Sequence, residues 1–229
     1  MQHPNAPASE AVGLEALLAG RYSCRAYRDA VVPRETIEAA MALAQRTPSW
    51  CNTQPWQVHL ASGRSREKVS AALLAAAVHP GQPDFPFPEA YRGVYRDRRK
   101  VCGVQLYESL GIGRDDRERA HAQSLENYRG FGAPHMAFIT TDQALGVYGA
   151  VDCGLYLMNL MLALRACGVD SIAQAALASH PQVVRNHFQL PASRLVVFGL
   201  SFGYGEPSSP INGYRTQREE VVSVLQWTE

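Results

Sequence analysis

The sequence has no Cys-x-x-Cys pair, and its five cysteines (Cys24, Cys51, Cys102, Cys153, Cys167) are odd in number and far apart. That argues against a disulfide framework and for a reducing compartment, the cytoplasm. Neither sign of charge is in excess: 22 Lys and Arg stand against 21 Asp and Glu, a net charge of +1. No basic stripe points to nucleic acid, and no polybasic patch points to a membrane. Residues Met1 to Ser9 are polar with two prolines and lack the apolar core of a signal peptide. The longest apolar run, Leu155 to Leu164, is interrupted by Asn159 and closed by Arg165. It is too short to span a bilayer and reads as a buried helix. The G-x-S-x-G context of a nucleophilic serine is missing. His180 and His187 stand seven apart with no third ligand nearby, so both are expected on a helix surface and no metal site is expected. Gly199, Gly203 and Gly205 have the wrong spacing for a dinucleotide fingerprint, and Pro207 forbids an immediate helix after them.

What remains is an ordinary globular composition. Of 229 residues, 46% are hydrophobic and 19% charged, which excludes a disordered chain. Helical patterns cover 10–19, Pro33 to Gln45, 65–78, 89–111, 115–128, 147–167 and 181–188. Strands are expected at 56–60, 136–140, 171–175 and 194–200, with a last one at Val221 to Leu225. Gly168 is the natural stop of the 147–167 helix. Between Pro80 and Pro88 four prolines alternate with Phe85 and Phe87, a semi-rigid aromatic loop suited to a lid or wall. No boundary shows a composition shift, so the expectation is one α+β domain over 1–229 with a helical excursion at about 80–130. The tail from Gly203 to Arg218, rich in Gly, Pro and Ser, should run over the surface or over another subunit.

Two polar stretches stand out. In Arg21-Tyr22-Ser23-Cys24-Arg25-Ala26-Tyr27, alternate residues of an extended segment point the same way, so Arg21, Ser23 and Arg25 can face one ligand. Guanidinium forks and a hydroxyl suit phosphate oxygens. Cations decorating a helix C-terminus are the alternative. The second stretch is Pro48-Ser49-Trp50-Cys51-Asn52-Thr53-Gln54-Pro55-Trp56. Its side-chain amides both donate and accept, which suits a heterocycle with carbonyls and ring nitrogens. A turn held by Asx-type hydrogen bonds is the plainer alternative.

Together these stretches resemble the FMN-dependent nitroreductase family. The first matches its Arg-x-Ser-x-Arg motif through Arg21, Ser23, Arg25 and Tyr27. The second matches its Pro-Ser-x-x-Asn-x-Gln-Pro-Trp segment through Pro48, Ser49, Asn52, Gln54, Pro55 and Trp56. Gly199, Gly203 and Tyr204 match a late Gly-x-x-x-Gly-Tyr strand. The 173–176 segment looks most like the branch that includes nitrobenzoate reductases. The resemblance implies a nitroreductase-like α+β fold, with a mainly antiparallel sheet flanked by helices. It implies an intertwined homodimer whose C-terminal extension crosses to the partner, with FMN at the interface. It carries the phosphate and ribityl grip to Arg21, Tyr22, Ser23 and Arg25. Pro48, Ser49, Trp50 and Asn52 would reach the flavin from the other subunit, and a backbone amide of Ala175 or Ala176 would approach it. Asn127 would lie near the ring edge. A terminal cation, Arg218 with Arg215 as competitor, would meet the phosphate. The implied reaction is NAD(P)H-driven reduction of a small nitroaromatic to nitroso and hydroxylamino products, in ping-pong fashion through one shared site. Quinone or ene reduction, dehydrogenation on the same fold, or flavin binding without turnover are the alternatives. Trp50 departs from the small residue common in the family. Tyr91, Tyr95, Tyr107, Phe85, Phe87 and Trp50 are candidates for an aromatic substrate wall.

Overall fold

The computed structural model describes residues 8–229. Its centre is a four-stranded sheet in the order β1-β2-β4-β3, every neighbouring pair antiparallel. The strands are β1 (Gln57–Ser62), β2 (His135–Asp142), β3 (Asp170–Gln174) and β4 (Arg194–Gly203). Strand β2 is buried on both sides: Met136 and Phe138 alternate with Ala137 and Ile139, and all four are fully buried. A period of two sends these pairs to opposite faces, so both faces must be covered.

Helices cover them. Helices α2 (Arg34–Ala44) and α6 (Gly146–Ala166) pack with Ala137, Ile139, Leu200 and Phe202 in one core. Helices α3 (Gly63–Ala76) and α7 (Pro181–Phe188) lie beside Met136, Phe138 and Val196 in the other. Helix α1 (Ala8–Gly20) touches α6. Gly168 ends α6 as its sequence implies, at φ +75°, with its N–H on the Arg165 carbonyl.

Helix α6 departs from expectation. With its preceding turn it runs over Gln143–Ala166, 24 residues containing an 18-residue stretch of mean hydropathy 1.5, long and apolar enough by composition to cross a membrane. Its inner face is packed against the sheet through Cys153, Tyr156, Leu157, Leu160, Met161 and Leu164. Its outer face leaves Val147, Tyr148, Val151 and Leu155 about half exposed or more. These four fall at helical spacing and form one apolar stripe.

Helices α4 (Gly93–Ser109) and α5 (Arg117–Leu125) form the excursion and bury no residue fully. Ion pairing ties α4 to the tail through Arg98 and Glu219, 3.0 Å apart. The expected last strand is absent: Val221–Ser223 forms a single 3₁₀ turn. Its residues have high strand propensity but meet no free sheet edge to pair with, and propensity alone does not make a strand. Val222 and Trp227 are each 83% exposed there.

Half-buried His187 accepts or donates at Ser65 Oγ, 2.8 Å away, and packs edge-on against Phe188. It is therefore a packed residue, not a plain surface one. Among the described residues no cluster of three His, Cys, Asp or Glu side chains has the arrangement of a metal site.

Candidate cofactor site

Helix α1 ends at Gly20, and Arg21 gives its N–H to the Leu17 carbonyl. The chain then runs extended. Ser23 pairs with Ser171 beside β3, and Tyr27 pairs with Gly205 after β4. Alternation follows: Cys24 is fully buried, while Arg21, Ser23 and Arg25 reach one cavity. From Tyr22 onward the stretch is extended, while Arg21 itself stands at the C-terminal end of α1, so both readings of the sequence describe part of it. Close approach requires the glycine opposite. A Cβ at Gly205 would lie 2.6 Å from Asp170 Oδ2 and 2.7 Å from the Tyr22 hydroxyl.

The cavity, about 330 Å³, is lined by Arg21, Tyr22, Ser23 and Arg25, by Cys102 from α4, and by Tyr214, Arg215 and Arg218 from the tail. Four guanidinium groups thus share one small space. Arg25 Nη1 donates to the Tyr214 hydroxyl at 2.8 Å and to the Ser23 carbonyl at 3.3 Å. Arg215 Nη1 donates to the carbonyls of Asn212 and Tyr214, both at 2.8 Å, with its guanidinium 4.1 Å from the centre of the Tyr22 ring. Arg218 Nη1 donates to Thr216 Oγ1 at 2.8 Å and to neighbouring carbonyls. Among the described residues none of the four lies within 4 Å of a carboxylate oxygen. Burial lowers the Arg21 pKa, and the charges of Arg218 and Arg215 lower it further. Four cations without an internal counterion leave this space with uncompensated positive charge, which suits an anion.

Asn212 holds the tail in place. It is 4% exposed, accepts the Arg25 main-chain N–H at 2.8 Å, and donates to the Ala26 and Glu206 carbonyls. Sequence reading missed it; its only signal is an Asn in a Gly- and Pro-rich tail.

The second constellation lies elsewhere. None of Pro48, Ser49, Trp50 or Asn52 lines the cavity of its own chain. From Pro48 to Gln54 the loop is exposed except for half-buried Ser49, while Pro55 and Trp56 at its end are buried. Its backbone is strained: Cys51, Asn52 and Gln54 have φ of 51°, 54° and 46°. Left-handed geometry costs a non-glycine residue about 1 kcal/mol or more, and such strain gathers at functional sites. A bracket of side chains holds it. Ser49 Oγ accepts the Gln54 N–H at 2.9 Å, Gln54 Nε2 reaches Asn52 Oδ1 at 3.1 Å, and Gln45 Nε2 donates to Gln54 Oε1 at 3.0 Å. The turn is held by the Ser49 hydroxyl on the main chain and by side-chain pairs of Gln54, while Asn52 Oδ1 meets a side chain and forms no Asx turn.

A third group gathers at the end of β3. Gln174, 3% exposed, donates to the Asn127 carbonyl at 2.9 Å and to Asn127 Oδ1 at 3.3 Å, while Gln174 Oε1 accepts from Ser201 Oγ at 2.6 Å. This network fixes Asn127 beside the Ala175–Ala178 turn. Sequence reading named Asn127, Ala175 and Ala176 but missed Gln174, whose alternation in a short strand marks it as buried.

The aromatic wall divides among three places. Tyr91 and Tyr95 line a larger cavity of about 1040 Å³ between α4 and the tail. Phe85 packs against the core cluster of α2 and α6. Trp50 lies edge-on to Tyr148, ring centres 4.5 Å apart. Spacing in sequence gives no hint of this scatter, because the proline loop carries Phe85 inward. Asp84 anchors that loop: its Oδ2 accepts from Arg185 Nη1 at 2.7 Å and from the Val196 N–H at 2.8 Å.

Comparison with known proteins places this arrangement. Residues 18–204 match the family model described as Nitroreductase family. The chain is 37% identical over 224 residues to nitroreductase NfnB of Mycolicibacterium smegmatis, covering 95% of each chain. It is 33% identical over 224 residues to a 4-nitrobenzoate reductase of Nocardioides sp., covering 94% of this chain and 89% of that one. The crystal structure of the FMN-dependent nitroreductase NfnB from Mycobacterium smegmatis in complex with NADPH superposes with a TM-score of 0.91 at 36% identity, covering 96% of this chain and 100% of that one. With a family model over residues 18–204 and near-complete coverage of its relatives, the chain belongs to the nitroreductase family.

Proposed function

We propose that this protein is an FMN-dependent oxidoreductase that uses NAD(P)H to reduce small nitroaromatic compounds, working as a homodimer. The observation that carries the reading is the cavity with four guanidinium groups and no carboxylate. A flavin phosphate bears close to two negative charges and matches that donor set. Arg21, Ser23 and Arg25 hold it from the extended segment, with Tyr22 as the platform under Arg215. Both Arg215 and Arg218 belong to the grip. The relatives named above are FMN- and NADPH-dependent nitroreductases or nitrobenzoate reductases, which supports the same chemistry here.

When bound, FMN supplies the hydride chemistry, so the protein needs no acid–base triad of its own. Its residues bind, orient and exclude water. The main-chain N–H groups of Ala175 and Ala176 lie in a turn beside the Gln174 network and would approach the flavin. Asn127 would lie near its ring edge. The Pro48–Asn52 loop is offered to the partner's flavin, which accounts for its distance from the cavity of its own chain. The stripe Val147, Tyr148, Val151 and Leu155 supports the dimer, because an apolar face of this kind is a usual subunit contact. The exposed apolar tail residues Val222, Val224 and Trp227 would pack on the partner. Five free cysteines fit a cytoplasmic setting.

Purified protein should be dimeric and yellow, should bind added FMN, and should oxidise NADPH when 4-nitrobenzoate is supplied. Nitroso and hydroxylamino products with parallel-line ping-pong kinetics are expected. A colourless protein that refuses FMN overturns the reading. Faster turnover on quinones or enones than on nitroaromatics would move the same site to the alternative chemistry.

A further inference from the structure

The loop that carries Trp50 and Asn52 is gripped by helix α6 at two points. Asp152, on the inner side of α6, is 5% exposed. Among the described residues no cationic nitrogen lies within 4 Å of its carboxylate. A buried carboxylate needs donors. Its Oδ2 accepts the Trp50 main-chain N–H at 3.1 Å. One turn earlier on the helix, Tyr148 packs against the Trp50 ring. The far end of the loop is tied separately, because Gln45 Oε1 accepts Trp56 Nε1–H at 3.0 Å while Gln45 Nε2 holds Gln54. Between these anchors lie the three left-handed residues Cys51, Asn52 and Gln54. Such a conformation persists only where its surroundings over-determine it. The same helix also presents the apolar stripe Val147, Tyr148, Val151 and Leu155. One rigid element therefore carries both the face offered to a second copy and the anchor of the loop.

We infer that Asp152 is a positioning residue: it fixes the Ser49–Asn52 loop to helix α6, so that when two copies dock, each delivers the loop to its partner's flavin in a finished shape. The inference rests on the proposed flavin site shared between two copies. Asp152 does not touch the cofactor; it acts through the Trp50 amide. The bracket of Gln45 and Gln54 does the same from the other side.

The test uses full-length protein, freed of flavin and titrated with FMN while flavin fluorescence is followed. Sedimentation velocity and the melting temperature of the flavin-free protein are measured alongside. Asp152→Ala should remain dimeric but raise the FMN Kd about tenfold, the scale of one charge-assisted hydrogen bond. Asp152→Asn keeps an acceptor oxygen and should return the Kd to within about twofold of the original, a rescue that a purely electrostatic role of the carboxylate would not give. A dimeric Asp152→Ala variant with unchanged FMN affinity overturns the inference. Should Asp152→Ala fail to fold, Gln54→Gly replaces it. Glycine accepts φ +46° without strain, and the variant loses the bracket. It should melt as the parent does and bind FMN about fivefold more weakly, and parental affinity overturns the inference. Arg21→Ala runs as the control. If it too leaves FMN affinity unchanged, the proposed phosphate site falls; if it alone weakens binding, only the role of Asp152 falls.

Discussion

The stretch Arg21–Tyr27 and the loop Ser49–Gln54 carry the two sets of polar side chains that the sequence singles out, and they keep their shapes by opposite means. The first is ordinary extended backbone, laddered at Ser23 to Ser171 and at Tyr27 to Gly205. Main-chain pairing sets its geometry, so Arg21, Ser23 and Arg25 are free to face a ligand. The second has three left-handed residues and is kept in form by Ser49, Gln54, Gln45 and Asp152. The difference teaches where each site is vulnerable. In the first, a change at a residue that faces the cavity, such as Arg21 or Ser23, should alter binding and little else. In the second, it should alter the backbone itself.

The sharpest test of that contrast is at Arg21. Arg21→Ala should weaken FMN binding by about 1.5–3 kcal/mol, up to about a hundredfold in Kd, with the melting temperature nearly unchanged. Loss of stability in place of affinity would break the comparison, because it would make Arg21 part of the scaffold. Acid supplies a second, smaller probe. His135 is 3% exposed, its Nε2 accepts the Val32 N–H at 3.1 Å, and Nδ1 meets Ser62 Oγ at 2.6 Å. Burial lowers its pKa. A base kept neutral in the fold contributes stability that is present above the unfolded value, about 6.5, and lost as pH falls below it. The protection factor of the Val32 amide should therefore fall below about pH 6.5, while that of the Gln54 amide, held by a serine, should stay constant. An equal fall at both would remove the distinction. The smallest effect is expected at Cys51. Cys51→Gly relieves a left-handed residue and should change stability by less than about 1 kcal/mol, with a neutral or stabilising sign. A larger loss in chemical denaturation would mean that Cys51 packs more than its exposure suggests.

Much of the fold was legible. The alternation in β2, the apolar run of α6 and Gly168 as its stop are local signals, and local signals survive folding. Arg21, Ser23 and Arg25 were readable for the same reason, since three alternating positions on one extended segment must share a side. Asp152 and Asn212 were not, because each acts on a segment more than 100 residues away, and an isolated Asp, Gln or Asn, Gln45 included, carries no mark of its partner. The supposed strand at Val221–Leu225 misled because its propensity is real but no edge awaits it. The dispersal of the aromatic candidates was not legible, because sequence does not show that Phe85 packs toward the core while Tyr91 and Tyr95 line the larger cavity.

The anchor at Asp84 has one more consequence. The span from Pro80 to Pro88 is stapled near its midpoint to α7 and β4, leaving two short tethers where a single free flap had seemed available. Moving this span as one piece would require pulling a carboxylate out of a two-donor socket, so its motion should be confined to the few residues on either side of Asp84.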